Sequence, residues 1–294
     1  MIIMWEKFKK LSFRFFGKRL EPYVDRFDGM KVDIQHANIP LSVREYVYVM
    51  FFVMLLMFVI EMPFIVIISA LVMKSALAAL MFAFTATLVV EAGTFFMFYT
   101  YPSYTAKSRK RNIETSLSFA TTYMATIASS GAPPSTMFKV LAKFKEYGEI
   151  SKEAEKINRD VEAFGMDLVS AIRKTAARTP SSELKELLWG LDTVLTTGGN
   201  VGDYLHEKSK TFMSEYKRRL QRYSETLSLL IEVYLTVILV GSIFFVIMSA
   251  LMSIFGGGES NLFMSFMQFV IIFIILPVVS TGFIVLIRMI SPTS

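Results

Sequence analysis

The stretch YVYVMFFVMLLMFVIEMPFIVIISA, residues Tyr46–Ala70, contains a single charged residue, Glu61. A helix needs about 20 apolar residues to cross the hydrocarbon core of a bilayer. Three further segments of the 294-residue chain satisfy this requirement: Ala76–Thr100, Leu227–Met252 and Leu262–Ile287. The sequence therefore predicts an all-α, polytopic membrane protein whose four transmembrane helices form two hairpins.

The distribution of basic residues predicts the orientation of these helices. Of 31 lysines and arginines, nine lie in residues 1–45 and twenty in residues 101–225, and the other two are Lys74 and Arg288. Because Lys and Arg are enriched in cytosolic segments near membrane spans, both termini and the middle segment are predicted to face the cytosol. Lys74 is then placed in an outer turn, and the protein is assigned to the cell (inner) membrane. No signal peptide is predicted, because MIIMWEKFKK reaches lysine after only a few apolar residues.

These features divide the chain into four predicted parts. They are a cytosolic N-terminal amphipathic arm (1–45), a first transmembrane hairpin (46–100), a cytosolic helical bundle (101–225) and a second transmembrane hairpin (226–294). In the arm, Phe8, Leu11, Phe15 and Phe16 share one helical face, opposite lysines and arginines. That face lies either on the inner membrane surface or against the rest of the protein, and the pattern fits both.

Glycine and proline divide residues 101–225 into short helical segments, and no segment alternates as a strand would. Six helices are predicted: Lys110–Ser129, 134–148, 151–164, Asp167–Ala177, 180–195, and a sixth from near Val201 that continues into the third span. Ser151 and Thr179 are predicted to be N-caps. The turns are assigned to Gly131, Gly165, Gly198, Gly199 and Gly202. The region is thus predicted to be a six-helix bundle flanked by the two hairpins.

The polar stretch LDTVLTTGGNVGDYL (191–205) contains two patterns that are similar to functional motifs. A phosphate-binding loop requires Gly-Lys-Ser/Thr after its glycine turn, and here no lysine follows before Lys208. The pair Gly202-Asp203 resembles the Gly-x-Gly-Asp motif of intramembrane aspartyl proteases. However, Asn200 takes the place of the first glycine and no span contains aspartate. We interpret the stretch as a corner, in which glycine ends one helix and Asn200 or Asp203 caps the next.

Three acidic residues fall within predicted spans. Glu91 is the deepest, Glu61 lies in the outward half of the first span, and Glu232 is close to the start of the third span. Because a charge in hydrocarbon is costly, intramembrane acids are either functional, as in an ion or proton path, or packed against a neighbouring polar group or subunit. An ion or solute transporter that uses Glu91 and Glu61 is therefore the alternative function for this chain.

Two basic clusters flank the bundle, at the ends of the second and third spans. They consist of Lys107, Arg109, Lys110 and Arg111, and of Lys217, Arg218, Arg219 and Arg222. Such clusters attract anionic lipid, at about 1 kcal/mol per residue near the surface, and they also suit an acidic cytosolic partner. No aromatic residues are interleaved with the charges, which argues against binding to nucleic acid. With no cysteine and only two histidines, His36 and His206, the chain offers no recognisable metal or nucleophile site.

The order of several short motifs between the hairpins carries a family resemblance. The motifs are SFATTYMATIASSGAPPSTMFKVL (118–141), VEAFGMDLVSAIRKTAARTPSSELKELLWGL (161–191) and TTGGNVGDYLHEKSKTF (196–212). In their order and spacing they resemble the F-domain family of type II secretion systems, the inner-membrane platform proteins of pilus, Tad and archaellum machines. The Ala-Arg-Thr-Pro-Ser and Gly-Gly-Asn phrases look most like the archaeal branch. One departure is Gly198-Gly199, where many bacterial relatives have Gly-Glu.

The resemblance implies a non-enzymatic platform without a cofactor. It implies that a hexameric cytosolic secretion ATPase drives the platform and that the membrane hairpins move or hold pilin-like subunits. A single cytosolic domain resembles the half-size form of the family, which implies a homodimer or pairing with a second half-size subunit. The basic clusters are then candidate contacts for the ATPase or for membrane lipids.

Overall fold

The computed structural model describes residues 13, 21–73, 75–255, 266, 269–270, 273–274 and 276–290. Every regular element in these residues is helical, and none of them forms a strand. The ten α-helices are α1 (Glu21–Val24), α2 (Met30–His36), α3 (Val43–Val72), α4 (Ala76–Ser129), α5 (Pro134–Leu141), α6 (Glu149–Glu162), α7 (Leu168–Ala176), α8 (Ser182–Thr197), α9 (Val201–Phe255) and α10 (Leu276–Ile290). One-turn 3-10 helices occupy Asp25–Phe27 and Lys145–Tyr147. The all-helical prediction is thus confirmed for the described residues.

Among the described residues, three helices are long and apolar enough to cross a membrane, where the sequence predicts four. They are α3 with 30 residues, α4 with 54 residues, and the segment Val201–Met248 of α9 with 48 residues. Nine of the 26 residues of the fourth predicted span, Leu262–Ile287, lie outside the described residues, and α10, which covers its end, has 15 residues. The structure therefore supports a membrane protein with at least three candidate spans.

Helices α3 and α4 form the first predicted hairpin. A capping box starts α3, because the Ser42 hydroxyl accepts from the Glu45 amide at 3.3 Å and the Glu45 carboxylate accepts from the Ser42 amide at 2.9 Å. At the turn end of the hairpin, the Ser69 hydroxyl donates to the Ala79 carbonyl at 3.1 Å. At the other end, the Tyr46 hydroxyl donates to the Phe98 carbonyl at 2.7 Å. The two helices are thus joined by hydrogen bonds near both ends.

The second predicted span and the first predicted helix of the bundle form one helix, α4. It continues without interruption from Ala76 to Ser129 and passes through Pro102. Helix α9 likewise contains both the sixth predicted helix and the third predicted span. The first and sixth helices of the bundle are thus continuous with the second and third predicted spans, as the helical pattern predicts.

The N-terminal segment 21–41 packs against the base of the hairpin. The ring of Phe27 makes edge contacts with Phe51, Phe95 and Tyr99, with ring centroids 6.5 Å apart in each pair. Apolar side chains of this segment are buried: Val24, Met30, Ile34, Ala37 and Leu41. Of the two positions predicted for the arm, residues 21–41 therefore have the second: they pack against the rest of the protein. The residues that carry the amphipathic pattern of the arm, up to Phe16, lie outside the described residues.

Helices α5 to α8 pack around the far half of α4 and form, with it, the helical block (residues 101–206). Its buried core is apolar and contains Ile113, Leu117, Met137, Leu141, Ile157, Ile172, Leu187, Leu188, Leu191 and Leu205. The chain divides into two compact units after His206, and the block belongs to the first of them. In the second unit, the Tyr234 ring of α9 stacks on Phe283 of α10 with centroids 4.4 Å apart.

Two predicted N-caps are wrong. Helix α6 begins at Glu149, whose amide donates to the Asn112 side chain at 2.9 Å, so that α4 caps α6 from the side. Ser151 lies inside α6 and donates to the Ala142 carbonyl. The N-cap of α8 is Ser181, whose hydroxyl accepts from the Leu184 amide, and not Thr179. In the first case a side chain distant in sequence replaces the local cap, which spacing alone does not reveal.

Candidate functional site

Arg109, one of the predicted surface-cluster residues, is buried in the helical block. The residue is 8% exposed, and its guanidinium contacts two other elements. Its Nε donates to Glu149 at 2.7 Å and its Nη2 donates to Glu153 at 2.6 Å, both on α6. Its Nη1 donates to the carbonyl of His36, at the end of α2. We call Arg109, Glu149, Glu153 and His36 the Arg109 cluster; it joins α2, α4 and α6.

Two lysines extend this cluster to the surface. Lys156 donates to Glu153 at 3.0 Å and to the side chain of Asn38 at 2.9 Å, which ties the loop after α2 to α6. Lys152 donates to Glu149 at 2.6 Å. Both carboxylates of the cluster therefore have two cationic partners. The arrangement positions the N-terminal segment against the block by charge as well as by apolar packing.

The electrostatic environment of the cluster shifts the pKa values of Glu149 and His36. Burial raises the pKa of Glu149, but the hydrogen bonds and positive charges of Lys152 and Arg109 outweigh burial and hold that pKa below its usual value. Burial lowers the pKa of His36; Asp33 opposes this effect, whereas Lys185 and Arg109 add to it. The surroundings thus favour the ionised form of Glu149 and the neutral form of the His36 imidazole.

The other residues of the first basic cluster remain on the surface. Lys107, Lys110 and Arg111 are exposed, and Lys110 lies 3.8 Å from Glu114 one turn away. The second cluster behaves in the same way: Lys217, Arg218 and Arg222 are exposed, and Arg219 is half-buried. Seven of the eight predicted residues therefore stay accessible, and Arg109 has a structural position instead.

The corner at 191–205 has the predicted turn chemistry at Gly198, Gly199 and Asn200, whereas Gly202, also predicted to be a turn residue, lies in the first turn of α9. Gly198 adopts a left-handed conformation with φ of 75° and ends α8, and the Gly199 amide donates to the Val194 carbonyl at 2.9 Å. The Asn200 side chain accepts from the amides of Gly202 and Asp203 at 2.9 and 3.2 Å, so Asn200, and not Asp203, caps α9. The other two turn glycines also have positive φ: Gly131 and Gly165.

A close packing contact supports this corner. The Tyr204 hydroxyl of α9 donates to the Leu187 carbonyl of α8 at 3.1 Å. The Tyr204 side chain crosses α8 at Gly190. A Cβ atom added to Gly190 would lie 1.9 Å from the Tyr204 hydroxyl oxygen. Burial, with a smaller contribution from Glu186, raises the pKa of Tyr204 to about 12. Gly190 therefore provides the space in which a neutral tyrosine fixes the angle between α8 and the start of α9.

The acidic residues of the hairpin have a different environment. Glu61 on α3 lies close enough to Glu91 on α4 for their charges to interact. One carboxylate oxygen of each is buried without a hydrogen-bond partner among the described residues. Glu232 on α9 is exposed. The structure thus brings two of the three predicted acids together. No group of three or more potential metal ligands occurs in the described part of the chain.

The inward position of Arg109 has a signal in the sequence that the charge pattern conceals. Arg109, Ile113 and Leu117 are spaced by four residues, so they share one face of α4, and all three are buried. A helical repeat that begins with arginine and continues with apolar residues marks an arginine on the core face. The run Lys107-Ser108-Arg109-Lys110-Arg111 suggests a uniform basic patch only if helical periodicity is ignored.

The chain is similar to known proteins in the block and in the helix that follows it. Residues 120–249 match the family described as type II secretion system, protein F. Flagella accessory protein J of Methanocaldococcus jannaschii is 28% identical over 137 residues, which cover 46% of this chain and 24% of that protein. An uncharacterised protein of the same archaeon is 28% identical over 134 residues, or 46% of this chain and 22% of that protein.

A second uncharacterised protein of this archaeon is 35% identical over 78 residues, which are 26% of this chain and 23% of that protein. In each comparison the matched segment covers less than a quarter of the relative's length. No solved structure matches the chain. The family match begins near the end of α4 and extends into α9.

Proposed function

We propose that this protein is an inner-membrane platform of a machine that assembles pilus-like filaments, because residues 120–249 match the F-domain family of type II secretion systems. Similarity to an archaeal flagella accessory protein supports a pilus- or archaellum-type machine. The observation that carries the proposal is the position of this domain. It lies on α4 and α9, which are two of the three helices able to cross a membrane.

In this proposal the helical block faces the cytosol and the hairpins lie in the membrane, with both termini inside. The proposal divides the chain into the four parts predicted from the sequence: an arm (1–45), hairpin 1 (46–100), the bundle (101–225) and hairpin 2 (226–294). Because α4 is uninterrupted from Ala76 to Ser129, force applied to the block reaches the first hairpin along a single helix. The platform itself carries out no chemical step and binds no cofactor.

The proposed energy source is a hexameric secretion ATPase that contacts the block, and the proposed cargo is a pilin-like subunit held by the hairpins. Exposed basic residues are the candidate contacts with the ATPase, or with anionic lipid. They are Lys107, Lys110 and Arg111 on α4 and Lys217, Arg218 and Arg222 on α9. Arg109 is excluded from this surface by its burial. A second copy or a similar subunit completes the platform and covers apolar surface of the hairpins.

Charge reversal at the surface, with the fold kept intact, tests the ATPase contact. The variant Lys107→Glu with Lys110→Glu changes two exposed lysines and leaves Arg109 in place. We expect the machine's ATPase to co-purify with the wild-type protein from detergent extracts and to be lost from this variant. The matched control, Lys143→Glu with Lys145→Glu, reverses two exposed lysines in the loop after α5 and should retain the ATPase. If the ATPase co-purifies with both variants, Lys107 and Lys110 are not part of the contact with it.

One observation favours a second candidate function, the passage of an ion or small solute. The buried oxygens of Glu61 and Glu91, which have no partner among the described residues, lie in the apolar hairpin, where acids commonly mark transport paths. Purified protein in liposomes would then conduct an ion, and Glu91→Gln would abolish the flux. Liposomes without flux in the wild type would eliminate this function and leave the platform proposal unaffected.

A further inference from the structure

A cleft of about 590 Å³ opens between the loop after α2 and the helices α6 and α7. One wall consists of Gln35 and Asn38–Pro40, and the other consists of the polar faces of α6 and α7. Its size is that of a small-molecule site, which typically measures about 300–1,000 Å³. We call it the basic cleft. It is separate from the exposed lysines of α4 and from the corner at 191–205.

The charges that line the basic cleft are unequal in number. Five cationic side chains line it, with two acidic ones, and the cationic ones are Arg109, Lys156, Arg159, Lys174 and Arg178. The two acids are already engaged, because Glu153 binds Arg109 and Lys156, and Asp160 lies 2.7 Å from Lys174. The excess positive charge is therefore not balanced by the residues of the cleft itself.

Two of these cations have no acidic partner among the described residues. Arg159 on α6 and Arg178 after α7 are both exposed, and within the described part of the chain neither takes part in an ion pair or side-chain hydrogen bond. Arg159 follows Lys156 by three residues and shares a face of α6 with it, whereas Arg178 lies in the turn two residues after the end of α7. Two guanidinium groups from separate elements thus face one cavity with free donors.

We propose that the basic cleft binds a phosphate-bearing anion, held by Arg159 and Arg178 with Lys156 and Lys174 beside them. The planar fork of a guanidinium donates two parallel hydrogen bonds to a phosphate. The concave shape of the cleft fits a small anion better than it fits the flat surface of a partner protein. A partner protein would need a larger interface, typically near 800 Å² on each side. This inference goes beyond the platform role and does not depend on it.

The phosphate has two possible sources, an anionic lipid headgroup or a soluble phosphate compound. The cleft wall at 38–40 precedes α3 by only a few residues, so the first predicted span begins close to the cleft. Arg109 follows the end of the second predicted span by nine residues, or about 13 Å of helix. A headgroup is thus within reach of the cleft, while its opening also admits solutes.

Binding to the full chain in dodecyl maltoside micelles tests the inference and separates the sources. Isothermal titration would use dihexanoyl phosphatidylglycerol, dihexanoyl phosphatidylcholine and inorganic pyrophosphate, at one ionic strength. We expect binding of an anionic probe, and each of Arg159→Gln and Arg178→Gln should weaken it about tenfold. Binding of phosphatidylglycerol without pyrophosphate identifies a lipid headgroup, and comparable binding of pyrophosphate identifies a soluble phosphate.

A matched control distinguishes the site from general charge attraction. The double variant Lys143→Gln with Lys145→Gln removes two positive charges, as many as Arg159→Gln with Arg178→Gln. Its positions are exposed and do not line the cleft. The control should bind as the wild type does. If the double arginine variant is unstable, Arg178→Lys retains the charge, loses the fork, and should still weaken binding. Equal affinity in all variants, binding of neither anion, or selective binding of a hexaglutamate peptide would each overturn the proposal.

Discussion

Helix α4 carries one charged residue, Glu91, in the apolar hairpin and buries one of its charged residues, Arg109, in the helical block; the surroundings of these two are opposite. Glu91 has a buried oxygen with no partner among the described residues, and its nearest charged neighbour is another acid, Glu61. Arg109, about five turns further along, donates hydrogen bonds to Glu149, Glu153 and a backbone carbonyl.

This difference separates two kinds of structure in one chain. In the block, the buried charges of the Arg109 cluster are paired with one another, although the hydroxyls of Ser118 and Thr121 are buried without a hydrogen-bond partner among the described residues. In the hairpin, the apolar surface and the two acids lack partners within the described residues, so this part is suited to contacts with lipid or another subunit. A buried charged side chain that forms ion pairs within the protein is consistent with a structural role. A buried charged side chain without such pairs indicates that a lipid or another subunit supplies the contact.

The largest expected effect is the loss of Arg109. Arg109→Ala leaves Glu149 and Glu153 without their central cation, and breaking a buried ion pair on one side costs about 3–5 kcal/mol. Unfolding of the full chain in detergent, followed by circular dichroism, measures the change. Lys110→Ala, at the exposed neighbouring position, should change the free energy of unfolding by less than about 1 kcal/mol. Equal effects of the two variants would mean that the cluster does not organise the block.

Two glycines, one in the block and one in the hairpin, test whether packing also differs between these two regions. Gly190→Ala places a methyl group on the Tyr204 ring and should lower the free energy of unfolding by about 1–3 kcal/mol, the usual cost of overpacking. Gly93→Ala on α4 meets no atom within 4 Å and should change it by less than about 0.5 kcal/mol. Tyr204→Phe, which removes only the hydroxyl, serves as an intermediate case. A larger loss for Gly93→Ala than for Gly190→Ala would reverse the contrast.

Acid pH should weaken the block through Glu149. Its pKa is lowered in the folded protein from the ordinary value of 4.5, so its contribution to stability is present above pH 4.5. That contribution is lost as the pH falls through the lower, folded-state pKa. Denaturant unfolding at stepped pH should therefore show the wild type approaching Glu149→Gln in stability below pH 4.5. A constant difference between the two proteins down to pH 3 would contradict this assignment.

The smallest effect is expected at Glu91. Glu91→Gln removes a charge that no described group compensates, so the free energy of unfolding should stay within about 1 kcal/mol of the wild type or rise. Glu232→Gln, at an exposed position, is the matched control. A loss comparable to that of Arg109→Ala would show that Glu91 has a stabilising partner inside the chain.

The helix boundaries were predictable from the sequence where local chemistry sets them. Gly198 and Asn200 act as expected at the corner, because glycine and asparagine determine their own turn geometry. The side-chain cap of α6 by Asn112 and the inward position of Arg109 depend on tertiary contacts between residues 37 to 44 positions apart. Charge counting treated Arg109 as surface, whereas its spacing from Ile113 and Leu117 places it on the core face.

The pairing of Glu61 with Glu91 could not be read from composition, because it depends on the register of two packed helices. The basic cleft was missed for a related reason. Its cations are dispersed over four elements, so no local cluster appears in the sequence, and the fold alone brings them together.

The most direct test of the account is the side of the membrane on which the helical block lies. The chain contains no cysteine, so single cysteines report accessibility without background. A membrane-impermeant maleimide should label Ser75→Cys, in the turn between α3 and α4, in intact cells. It should label Lys145→Cys, in the block, only after the membrane is permeabilised. Labelling of Lys145→Cys in intact cells at the rate of Ser75→Cys would contradict a cytosolic platform.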